Sequence, residues 1–134
     1  MRKRVLRVAI GVAALVFAGT AFAADFSPGS PGLGDPMFPN AGNGGYDVQN
    51  YNLKLDYTPS SNQLAATTVI TARATQGLSS FDLDFRWPQS GISEVLVNGL
   101  AASFARSGEQ ELVVTPRQGI ASGSGFTVSV AYAG

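Results

Sequence analysis

From Tyr46 to Tyr132 the apolar residues of this chain recur at every second position, and that period narrows the available folds more than any other feature. Side chains two apart share a face only on an extended strand, so the pattern calls for strands with one dry and one wet side. Tyr51, Leu53, Leu55 and Tyr57 fall on one face, with Asn50, Asn52, Lys54 and Asp56 on the other. A turn cluster at 58–62 separates them from a Thr/Val/Ile-rich run in which Leu64, Ile70 and Ala72 are in phase. Phe81, Leu83 and Phe85 then oppose Asp82 and Asp84, and Trp87-Pro88 breaks the run. Val95 and Val97 lead into Asn98-Gly99, the residue types that supply the positive φ of a tight two-residue turn, so 92–106 reads as a hairpin. Leu112 and Val114, and later Phe126, Val128, Val130 and Tyr132, complete the series.

These segments amount to about seven strands with no helical period among them, the spacing of an all-β antiparallel sandwich. The expected inward set is Tyr51, Leu53, Leu55, Phe81, Leu83, Phe85, Val95, Val97, Phe104, Leu112, Val114, Phe126, Val128 and Val130. Two sheets packed face to face bury such a set most simply.

The N-terminus reads as an export signal. A basic start (Arg2, Lys3, Arg4, Arg7) precedes an apolar run ending in Ala21-Phe22-Ala23, which fits the small-x-small cleavage rule after Ala23. A retained anchor is the competing reading, but the run is short for a bilayer span of about 20 apolar residues. The division is therefore 1–23 signal peptide, 24–45 Pro/Gly-rich linker and ordered loop, and 46–134 β-sandwich domain. Cleavage leaves Lys54, Arg73, Arg86, Arg106 and Arg117, five positive charges, against all nine acidic residues, a net charge of −4. An acidic surface repels phosphate, so nucleic acid is not an expected partner. No second apolar run follows the signal, so no membrane is expected as a partner after cleavage. The expected location is secreted or extracellular. The chain stops at Gly134 directly after a strand; natural domains can end this way, and the stop also suits a truncated reading frame.

The residue types also restrict the chemistry. The sequence contains no histidine and no cysteine. Zinc sites are built on those two, so no metal ligand and no cofactor is expected in this chain. Asp82 and Asp84 on one strand face are half of a calcium site at most, because calcium takes about six or more oxygens. A solvated outer face accounts for them more simply. Asp35, Asn40, Asn43 and Asp47 are explained by turn chemistry without an ion. Serines abound, but none has a histidine to activate it, and Lys54, the single lysine after the signal, lies on a face read as wet. No catalytic residue is assigned, and no substrate-binding residue is identified. Trp87 is read as a strand end, with a sugar-stacking platform as the other reading.

The stretch GDPMFPNAGNGGYDVQNYNLKLDY (34–57), followed by LAATTVITARATQGLSSFDLDF and VNG, resembles secreted bacterial aminopeptidase N-like zinc metallopeptidases. Tyr46, Asp47, Tyr51, Leu53 and Leu55 match the Tyr-Asp-x-x-His-Tyr-x-Leu-x-Leu pattern of that family's N-terminal β domain, often described as a saddle. Asp82 to Phe85, Val95 to Gly99 and Phe126 to Gly134 match later strands. Asn50 stands where the pattern has histidine, and Met37 where an aromatic is common. The family's catalytic His-Glu-x-x-His helix and its Gly-x-Met-Glu-Asn type loop have no counterpart in this sequence. The resemblance therefore implies a non-catalytic N-terminal β domain, truncated before the catalytic domain. In full-length relatives it would pack on a zinc-bearing catalytic domain and shape substrate access. The alternative from the residues alone is a stand-alone secreted β-sandwich module that binds carbohydrate or protein.

Overall fold

The computed structural model describes residues 25–39 and 41–134, so the signal reading lies outside the described residues. The chain is all-β, with nine strands in two sheets among those residues. The strands are β1 (Ser27–Pro28), β2 (Tyr46–Thr58), β3 (Gln63–Ala74), β4 (Leu78–Asp84), β5 (Ile92–Val97), β6 (Leu100–Ala101), β7 (Ser103–Ser107), β8 (Glu111–Thr115) and β9 (Gly125–Ala133). Two of them, β1 and β6, have two residues each; the other seven are the strands that the alternation predicts.

One sheet has the order β2-β3-β9-β5-β6 and is antiparallel throughout. The other has the order β1-β4-β8-β7, antiparallel except for β1, which runs parallel to β4. Thus the stretch read as linker and loop contributes a short strand. Ser30 and Gly44 exchange backbone hydrogen bonds at 3.2 and 2.7 Å, which closes the loop between them. A Cβ on Gly45, at φ 100°, would lie 2.8 Å from the Leu78 side chain. Glycine there lets the loop press onto the core.

The turns follow their residues. Asn98 and Gly99 have φ of 51° and 77°, the paired positive values of a tight hairpin turn. The hairpin itself departs from expectation. Its return strand β6 pairs with β5 over only two residues, and after Ala102 the chain crosses to the other sheet as β7. One apolar run thereby supplies both layers.

The core lies between the sheets. Phe81, Leu78, Leu112 and Val114 of one layer meet Val95, Val97, Phe126, Val128 and Val130 of the other, all buried. Phe85 and Phe104 are half-buried against them. Each buried side chain of this size is worth about 1.5–3 kcal/mol relative to exposure. Tyr51, Leu53 and Leu55 overturn the sequence expectation, being 57%, 55% and 58% exposed. They do share a face with the core, since Tyr51 pairs with Ile70 and Leu53 with Thr68, which in turn pair with Val128 and Val130. Nothing in the second sheet lies over them, because β4, β7 and β8 are much shorter than the thirteen-residue β2.

Candidate functional site

At the first half of β2 the two layers part into a groove of about 420 Å³. Tyr51, Leu53 and Ile70 of the larger sheet form one wall, and Leu83 and Phe85 of the smaller sheet the other. Leu33 and Asn43, from the loop that joins β1 to β2, stand at its rim. The groove continues along β2 into the uncovered row of Leu55 and Tyr57, the latter 54% exposed.

Tyr46 closes the inner end. Its ring packs edge-on against Phe81 and Phe126 at 5.7 and 6.1 Å, joining the two layers. Its hydroxyl donates to the Asp82 carbonyl oxygen at 2.7 Å. Burial, with Tyr51 adding to it, pushes the Tyr46 phenol well above its ordinary pKa, so it stays protonated across physiological pH and serves as a tie. The groove is an apolar surface with a fixed floor, suited to cover by another apolar surface.

Trp87 is engaged in packing. Its indole donates to the Ala133 carbonyl oxygen at 3.1 Å and lies 5.9 Å from the Tyr132 ring, which in turn meets Phe85 edge-on at 5.1 Å. A Cβ on Gly91 or Gly134 would come within 2.6 Å of the indole, so the ring lies against both backbones. This is the strand-end reading, with the ring spent on closing the sheet end.

The acidic residues are arranged otherwise than the sequence suggests. Asp84 is exposed, but Asp82 is buried, at 7% exposure, which corrects the reading of both as a solvated pair. Glu111, opposite Asp84 in the β4–β8 register, is equally buried. Ser30, Pro31, Gly32 and Gly34 line a cleft of about 590 Å³ with Gln110 and Glu111, across from the turn between β7 and β8. The loop thus faces the acidic corner across this cleft, a long-range arrangement invisible to strand periodicity. Burial raises both carboxyls above their ordinary values, and the Gln110 amide partly offsets the effect at Glu111. Among the described residues no group of three or more His, Cys, Asp or Glu side chains is placed to hold a metal ion.

The remaining sequence candidates stay apart. Asp35 accepts the backbone N–H groups of Met37 and Phe38 at 2.8 and 3.2 Å, a local turn device. Asp47 and Lys54 lie exposed on β2, opposite Arg73 and Thr67. Asn50 is exposed beside a bulge that leaves Gln49 out of register. Asn40 lies outside the described residues. The feature that strand reasoning missed is the open end of the groove. Its one sequence signal is arithmetic: β2 and β3 are long, and the other runs are short.

No protein-family model and no curated protein sequence matches the chain. Solved structures do. An M1 zinc metallopeptidase from Deinococcus radiodurans is 30% identical, with a TM-score of 0.65, over 77% of this chain and 23% of that one. A two-domain M1 zinc metallopeptidase mutant bound to L-arginine is likewise 30% identical over the same shares, with a TM-score of 0.66. Native leukotriene A4 hydrolase from Saccharomyces cerevisiae shares the fold, at 13% identity and a TM-score of 0.52, over 66% of this chain and 15% of that one. The chain spans about 23% of the length of its M1 relatives.

Proposed function

From its likeness to the M1 zinc metallopeptidases, whose N-terminal β domain it resembles in fold and sequence, we propose that this chain is a non-catalytic β domain that docks on a peptidase catalytic domain and shapes access to it. The observation that carries the reading is the uncovered row Tyr51, Leu53, Leu55 and Tyr57 on the inner face of β2. A contiguous apolar row beside a groove is the kind of surface that soluble proteins cover with a partner. The solved relative is a two-domain peptidase of which this chain matches under a quarter, so a second domain is the natural cover.

By itself the chain is not a peptidase. Its sequence offers no imidazole or thiolate to hold zinc. Export, with cleavage after Ala23, completes the proposal, and mass spectrometry of the product should find Ala24 at its N-terminus. Two assays test the rest. The purified chain should neither retain zinc after dialysis nor hydrolyse aminoacyl substrates, and it should co-purify with the catalytic domain of an M1 peptidase. Stoichiometric zinc with hydrolysis by the chain alone would refute the proposal, and so would a failure to associate with any such domain.

A second reading, a stand-alone binding module, draws on the same 420 Å³ groove, which is large enough for a small apolar ligand. It requires a ligand that quenches or protects Tyr51 in the absence of any peptidase domain.

A further inference from the structure

β2 is the outermost strand of the five-stranded sheet and pairs with β3 on one side only. Its other side presents thirteen residues of backbone with no strand partner among the described residues. Edge strands are normally short, or guarded by charges that repel a further strand. β2 is long, and the two charges in its C-terminal half, Lys54 and Asp56, are of opposite sign and two positions apart.

Among neighbouring registers, that spacing favours one in which the strand meets a copy of itself with opposite charges paired. In an antiparallel pair, directly opposed residues project from the same face. Two β2 strands therefore keep their apolar rows together only when odd positions oppose odd ones. Centred on Leu55, the pairing sets Lys54 opposite Asp56 twice, Leu53 opposite Tyr57 twice, and Leu55 opposite itself. The neighbouring allowed registers set Lys54 against Lys54 or Asp56 against Asp56, which like charges disfavour. Tyr57 is held for its part, since its hydroxyl donates to Asn62 Oδ1 at 2.8 Å.

We infer that two copies of this chain join edge to edge through β2, antiparallel and centred on Leu55, with Lys54 and Asp56 fixing the register. The contact is isologous, so it closes as a twofold dimer and does not propagate. It uses the backbone edge and the two charges, and does not depend on the peptidase reading.

Charge reversal tests it on the chain purified from expression of its full sequence. By light scattering coupled to size exclusion at tens of micromolar, the wild type should run at twice its monomer mass. Lys54→Asp and Asp56→Lys should each be monomeric, because each opposes like charges twice. Mixed in equal amounts, the two variants should form a heterodimer, and the double exchange within one chain should restore the homodimer. A folding defect would not be repaired by mixing. Because the chain has no cysteine, Leu55→Cys adds a unique thiol on the twofold axis. Opposed Cα atoms about 4.5–5.5 Å apart suit a disulfide, so oxidation should give a covalent dimer. Tyr51→Cys, which would face Pro59 of the other copy, should cross-link far more slowly. A monomeric wild type, a dimer indifferent to either charge reversal, or equal cross-linking by the two thiols would each overturn the inference. A wild-type monomer whose β2 is instead protected by a peptidase domain would assign the edge to that occupant.

Discussion

Two stretches of one sheet face carry the same alternation and meet opposite fates. On β9 and β5, Val128, Val130 and Val95 are 1–2% exposed; on β2, Tyr51, Leu53, Leu55 and Tyr57 are 54–58% exposed. Both rows are predominantly apolar, and their registers are continuous through Ile70, Thr68 and Ala66 of β3. The difference is made by the other layer. The smaller sheet reaches as far as Tyr46 and Val48 at the start of β2 and stops there, since β4 has seven residues and β7 and β8 have five each. Alternation fixes the direction a side chain takes from the sheet. Whether anything waits there depends on a layer built elsewhere in the chain.

Truncation at matched positions should break the symmetry of the pattern most visibly. Phe81→Ala, on the covered side, should cost about 3–5 kcal/mol in urea unfolding, the usual range for emptying a buried aromatic site. Tyr46→Phe should cost about 1 kcal/mol, because it removes the hydroxyl that ties the start of β2 to the Asp82 carbonyl while keeping the ring contacts. An unchanged stability would place that tie outside the folded state's cooperative unit.

The acidic corner sharpens the comparison from the other side, as a polar group that is covered. Glu111 Oε2 has no hydrogen-bond partner among the described residues, and burial raises the carboxyl's pKa. A raised folded value means that the proton binds the folded chain more tightly than the unfolded one. The stabilisation is full below the unfolded pKa of about 4.3 and is lost as pH rises through the folded value. Glu111→Gln should therefore stabilise at pH 7 by roughly 1 kcal/mol, with the gain shrinking to nothing near pH 4. A gain independent of pH would show that charge is not its source. At the small end, Leu55→Ala should change monomer stability by less than about 0.5 kcal/mol, as at any open site. A cost near that of Phe81→Ala would mean that β2 is covered within one chain.

Local chemistry carried much of the fold into view. Asn98-Gly99 marked its turn because those residues tolerate positive φ, and the seven longer strands followed from period two. What stayed hidden depends on distant partners. β1 is two residues held by β4, too short to show a period. The crossing at Ala102 interrupts no alternation, so 92–106 read as one hairpin although it feeds two sheets. Asp82 looked solvated because its burial depends on distant partners: Val113 lies opposite it on β8, and Tyr46, thirty-six residues earlier, donates a hydrogen bond to its carbonyl oxygen. The groove was the least visible of all, since its walls come from strands that each read as ordinary core.

Hydroxyl-radical footprinting of the chain, alone and with an M1 catalytic domain, tests the proposed docking most directly, run dilute enough to keep the chain monomeric. Tyr51, Leu53 and Tyr57 should label strongly in the chain alone and fall several-fold on mixing, while Trp87 stays unchanged. A complex that leaves those three side chains as reactive as before would contradict the docking role of β2.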